Sequence, residues 1–141
     1  MKIDVISWSE KFYLKLPALG TEIKETIVKI LPAISLFFGI LITIASIADL
    51  LGGAFITSIT LTTGPQIIQQ LFLRSVLGLF QGLLMIFAFQ GLMHHTQSGW
   101  KLFFWAQVLW IISTLVAFSP SFILGLLILY PLFQVKQYYS K

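Results

Sequence analysis

The 141-residue chain is 57% hydrophobic and only 10% charged, with a mean hydropathy of +0.93. Soluble domains carry about a quarter charged residues, so a water-soluble core is a poor account of this composition. The absence of cysteine excludes disulfide staples, thiolate catalysis, dithiol relays and cysteine metal sites. A formal charge of +4 arises from scattered lysines near the ends of apolar stretches, which points to lipid headgroups and orientation and not to nucleic acid.

Residues 1–26 mix Asp4, Glu10, Glu22 and Glu25 with four lysines and contain no short apolar run ending in a cleavage site, so they read as a cytoplasmic amino terminus and not as a cleaved leader. Within them the spacing predicts a short amphipathic interfacial helix over 7–16. Ser7 and Glu10 have capping-box spacing. Val5, Trp8, Phe12 and Leu16 recur on one face, with Trp8 and Phe12 as membrane-interface residues and the lysines elsewhere. A helix packed on the rest of the chain, or on a partner, is the alternative. Pro17 and Gly20 then break the chain before Thr21, a cap for the next helix.

Four apolar spans follow, at about 27–48, 72–93, 102–118 and 120–136. Pro32 is expected to kink the first or mark its cytoplasmic end. The uncharged, threonine-rich stretch from Gly52 to Gly64 is expected to form an outer loop, and Pro65 to open the next helix. Gln66, Gln69 and Gln70 would then lie at the outer interface. A turn at Gln97-Ser98-Gly99 leads to Trp100 and Lys101, an interfacial anchor pair for the third span. Ser119-Pro120-Ser121 supplies a cap and a first helical residue for a tight outer hairpin. Pro131 is expected to bend the last span, which finishes with Tyr138 and Tyr139 at the headgroups. The fold class is thus an all-α integral membrane protein: a single-domain four-helix transmembrane bundle over 1–141 with a short amino-terminal amphipathic helix.

Eight of the nine basic residues fall on the side shared by the termini and the connection between spans two and three; Arg74 alone falls on the other. The positive-inside rule places both termini in the cytoplasm of a multi-pass protein of the plasma (inner) membrane.

The best patterned residues lie in spans one and two. Ser35, Gly39, Thr43 and Ser46 share a helical face that Asp49 continues; Arg74, Gly78, Gln81 and Gly82 share another, including a Gly-x-x-x-Gly. Small residues let helix backbones approach, and hydroxyls or amides can bond across the contact. The two faces are expected to meet as a polar seam of Thr43, Ser46, Asp49, Arg74 and Gln81, with Asp49 pairing with Arg74 and Gln81 reaching Thr43 or a nearby carbonyl. Packing is the simpler use of such a seam; an ion or substrate path is the functional one.

His94 and His95 are the only histidines, and neighbours on a helix point about 100° apart, so the pair cannot hold both faces of one haem within one chain; a ligand site shared across a dimer is the alternative to polar residues at the cytoplasmic boundary. Trp105, Trp110, Phe103, Phe104 and Phe118 make the third span aromatic, which serves anchoring and packing or lines a pocket for a flat apolar ligand. Gln107 within it is an interhelical hydrogen-bonding candidate. No catalytic constellation is present, the span interiors hold no Asp, Glu, His or Lys, and neither an enzyme nor a cofactor is expected.

Length and span plan are similar to the small multidrug resistance transporters, a resemblance that implies a transport unit of two copies. That family's coupling glutamate in the first span has no counterpart here: Glu22 and Glu25 precede the span and Asp49 follows it. The expected partners are the lipid bilayer and other membrane subunits or a second copy, with no nucleic acid. The leading function is that of a subunit, assembly factor or scaffold acting through protein or lipid contacts. A small oligomeric transporter using the seam, and an apolar-ligand binder around Trp105 and Trp110, are the alternatives.

Overall fold

Asp4 starts the first helix. Its carboxylate accepts from the Ser7 amide at 3.5 Å and its carbonyl accepts from the Ser7 hydroxyl, so α1 runs Val5–Tyr13 and begins a turn earlier than the Ser7–Glu10 spacing predicts. Glu10 is not a capping partner, because its carboxylate accepts from Lys136 Nζ instead. The computed structural model describes residues 4–59, 65–116 and 118–139, with side chains described outside 53–68. Four further α-helices follow: α2 (Thr21–Ile59), α3 (Pro65–Met93), α4 (Gln97–Val116) and α5 (Phe122–Gln134), then a 3₁₀ turn at Lys136–Tyr139. The described residues are all-helical, without strands.

Three of these helices are long and apolar enough to cross a membrane, over Thr21–Gly52, Gln69–Met93 and Gln97–Val116. The fourth apolar helix, α5, has 13 residues and is about 20 Å long. α2 has 39 residues and at about 58 Å far exceeds a hydrocarbon core of about 30 Å. The loop expected from Gly52 is corrected in its first part: α2 continues through Gly52 and Gly53 to Ile59, since a glycine weakens a helix without ending it and no proline intervenes. Residues 60–64 of that stretch lie outside the described residues. Pro65 opens α3 as expected, where its missing N–H costs nothing.

Pro32 lies inside α2 and cannot donate to the carbonyl of Val28. The Tyr139 hydroxyl donates to that carbonyl, at 3.5 Å, from the far end of the chain. Trp100 Nε1 similarly donates, at 3.0 Å, to the Leu132 carbonyl in the last turn of α5, one of the acceptors a helix end leaves without a partner. These contacts gather α1, the start of α2, the α3–α4 turn and the end of α5 at one end of the bundle. An aromatic core lies there. Trp100 stacks on Phe104 at 5.6 Å, Phe133 meets both rings edge-on at 5.5 Å, and Tyr13 stacks on Phe133 at 5.3 Å.

Both hairpin turns end their first helix in the same way. Thr96 donates its amide to the Gly91 carbonyl and His95 to that of Leu92; Ser119 and Phe118 repeat the pattern onto Thr114 and Leu115. These are Schellman motifs, whose left-handed position glycine usually fills. Here His95 (φ 53°) and Phe118 (φ 49°) fill it. The first reversal therefore falls at His94–Thr96, and Gln97-Ser98-Gly99 already belongs to α4. Replacing His95 by glycine is expected to raise stability by about 1 kcal/mol, since a β-carbon disfavours this conformation. A higher midpoint in thermal unfolding in detergent checks it; a fall would show that the ring packing of His95 on Tyr139 outweighs the backbone term.

Candidate functional site: a polar seam between two cavities

The two small-residue faces do meet. α2 and α3 run antiparallel in close contact, and a β-carbon added at Gly39 would lie 3.0 Å from the Gly82 carbonyl oxygen. One added at Gly78 would lie 2.5 Å from Ser46 Oγ, and one at Gly82 would strike Thr43 Oγ1. Ser35, fully buried, donates across the seam to the Met85 carbonyl at 2.6 Å. Gly39 and Gly82 are what permit this approach, because a side chain at either would press on the backbone of the partner helix.

The polar contacts expected within the seam differ from those found. Thr43 turns its hydroxyl back to the Gly39 carbonyl of its own helix at 2.7 Å, so it does not bond to Gln81. Asp49 and Arg74 are both exposed and stand on one cavity wall without forming an ion pair; among the described residues the ion pair found is Glu10–Lys136. Both lie more than two turns inside their helices, and an exposed pair offers too little to hold two flexible side chains together. Ser46 and Gln81 are each 5% exposed.

The seam borders two cavities. A polar one of about 410 Å³ lies toward the α4–α5 turn and is lined by Ser46, Asp49, Arg74, Ser75, Ser113 and Ser119 among others. An apolar one of about 490 Å³ lies between α2, α3, α4 and α5, walled by residues such as Leu31, Phe38, Met85, Phe103 and Leu132. Ile42, Gln81 and Trp110 line both. Of the aromatic residues weighed for a pocket, Trp110 and Phe103 face the apolar cavity, whereas Trp105 is 43% exposed on the outside. Gln107 lines the apolar cavity, and its signal was in the sequence as an isolated amide in an apolar span. Sequence reasoning missed the hydroxyl wall supplied by Ser113, Thr114, Ser119 and Ser121, since two come from α4 and two from the turn after it and they share no helical spacing.

The residues read as membrane-interface positions separate into two sets. Trp8 and Phe12 are exposed on α1, at 72% and 62%. α1 also packs on α5: Tyr13 donates to the Leu126 carbonyl, Tyr130 donates to that of Pro17, and a groove of about 600 Å³ runs between them. Trp100 and Tyr139 are enclosed by protein: Trp100 is fully buried and Tyr139 is 1% exposed. Their polar ends find carbonyl acceptors inside the bundle, which removes the reason for them to seek headgroups. Tyr138 is half-buried beside them. Burial raises the phenol pKa of Tyr13 and pushes that of Tyr139 to about 12, so both stay protonated and able to donate at neutral pH.

Among the described residues no three His, Asp or Glu side chains converge as a metal site would require. Comparison with protein-family models, curated proteins and solved structures finds no match to this chain.

Proposed function

We propose that the chain is a four-span, non-enzymatic membrane protein of the plasma (inner) membrane that acts through lipid and protein contacts, as a subunit, assembly factor or scaffold. The meeting of both chain ends at one end of the bundle supports an even number of crossings. Glu10 pairs with Lys136, Tyr139 donates to Val28, and Tyr13 stacks on Phe133, contacts that favour a chain whose two ends lie on the same side. α5 itself is about 20 Å long, so a fourth crossing would be completed by the residues on either side of it or by local thinning of the bilayer. Lys101 and Lys136 share that end with the amino-terminal lysines, in keeping with cytoplasmic termini.

The single observation that carries the contact function is the α1–α5 surface. Trp8 and Phe12 stand exposed beside an apolar groove on a helix that is itself anchored by Tyr13 and Glu10. Exposed aromatic residues on a fixed helix suit a partner or the headgroup boundary. Native mass spectrometry after gentle extraction is expected to show a heteromeric complex. A Trp8→Ser/Phe12→Ser variant is expected to lose at least about tenfold in association, as for a pair of aromatic anchors, while keeping its helical content. Extraction of the wild-type chain only as a monomer would sink this reading.

A second reading, a small transporter or permeation subunit, is favoured by the polar cavity at Asp49 and Arg74. Flux in proteoliposomes that falls in both Asp49→Asn and Arg74→Gln supports it over the first.

A further inference from the structure

Gln81 and Gln107 are each 5% exposed and line the apolar cavity, one from α3 and one from α4. Neither amide forms a hydrogen bond among the described residues. No polar side-chain atom there is both sealed off and without a partner, so the two amides open onto the cavity space they line. Enclosed amides aimed into an apolar space are costly unless something within that space bonds to them. Gln81 also lines the polar cavity, so it stands where the two join.

We propose that the joined cavities hold one single-chain zwitterionic amphiphile, with its acyl chain in the apolar chamber and its head group in the polar one. The chamber of about 490 Å³ falls within the size range of ligand sites, which bury an apolar body and orient it by a few polar groups. Ile34 and Ile128, both exposed, line the same chamber from α2 and α5 and flank a side entrance from the bilayer. Gln81 at the junction, and Gln107 on its apolar side, present donors and acceptors to the ester and hydroxyl that link chain to head. Beyond it the wall carries one charge of each sign, Arg74 for a phosphate and Asp49 for an ammonium group, with serine hydroxyls between. A fatty acid would satisfy Arg74 and leave Asp49 facing a like charge; a zwitterion suits both. The inference rests on the membrane reading of the fold and needs no partner protein.

The test uses the full chain in nanodiscs and a lysophosphatidylcholine with a diazirine near the end of its chain. After photolysis, adducts are mapped by peptide mass spectrometry. The expected result is saturable labelling at one probe per chain, concentrated on Leu31, Phe103 and Leu132, competed by unlabelled lysophosphatidylcholine and not by a fatty acid of equal length. Gln107→Leu is expected to weaken it about tenfold, the effect of losing a buried hydrogen-bonding group. Ile34→Trp, at an exposed position that folding tolerates, is expected to block the entrance and abolish it, while labelling of the lipid-facing Phe37 and Ile44 is unchanged. Labelling that never saturates, or that spreads equally over Phe37 and Ile44, overturns the site. Equal competition by the fatty acid overturns the head-group assignment. Loss of the chain from membranes in a carbonate wash would overturn the membrane reading as well, whereas retention with no chamber labelling overturns this inference alone.

Discussion

Alanine at Gly99 is expected to destabilise the protein by about 3 kcal/mol or more, at the upper end of overpacking costs. A β-carbon there would lie 2.5 Å from the Leu92 amide nitrogen and 2.6 Å from Gly91 Cα, all backbone atoms of α3 that cannot rotate aside. The α3–α4 hairpin would have to part. At Gly82 the first obstacle is a threonine hydroxyl, but the Gly39 carbonyl oxygen at 2.9 Å stands behind it, so about 2 kcal/mol is expected. At Gly78 the obstacle is Ser46 Oγ alone, which can turn, and the change should be nearly neutral. At Gly52 nothing lies within 4 Å, and alanine should stabilise α2 by about 0.5–1 kcal/mol. Thermal unfolding of the four variants in one detergent tests the order Gly99, Gly82, Gly78, Gly52. A Gly99→Ala protein as stable as wild type would falsify the close backbone contact on which the α3–α4 pairing depends.

Part of this architecture was legible in the sequence because it has a period. Ser35, Gly39, Thr43 and Ser46 recur at helical spacing, and so do Gly78 and Gly82; close approach of two helices needs such stripes on both partners. That three helices are long and apolar was legible from unbroken apolar runs, though the end of α2 was not. What was not legible depends on contacts between distant residues. Glu10 has the spacing of a capping partner, yet Lys136, 126 positions away, takes its carboxylate. Asp49 and Arg74 reach the same cavity, but depth alone does not bring two exposed side chains into contact. Trp100 beside Lys101 has the composition of an interfacial anchor, and only the end of α5 folding over it reveals a core residue. The amide pair shows the limit most clearly: Gln81 and Gln107 are isolated in their own helices, and only the packing of α3 on α4 makes them walls of one chamber.

Trp100→Ala is expected to cost about 3–5 kcal/mol, the range for removing a fully buried large aromatic side chain. Three losses combine there. The indole fills the space between Phe104 and Phe133, so its removal leaves a cavity that two rigid helices cannot close. Its N–H satisfies the Leu132 carbonyl at the end of α5, which would otherwise face an apolar core without a donor. Its ring also lies 5.6 Å beneath the Lys136 ammonium, which pairs with Glu10 and so ties α1 to the same point. Trp100→Phe keeps most of the volume and loses only the donor, and about 1–2 kcal/mol is expected for it. The two variants therefore separate packing from capping. Because α5 is short and α1 rests upon it, the larger change should release both, read as faster proteolysis at Lys11 and Lys15 in the Trp100→Ala protein than in Trp100→Phe. Equal proteolysis in the two variants would show that the α1–α5 unit is held by its own contacts, Tyr13 on Phe133 and Tyr130 on Pro17, and that the core end of the bundle is built from two independent parts.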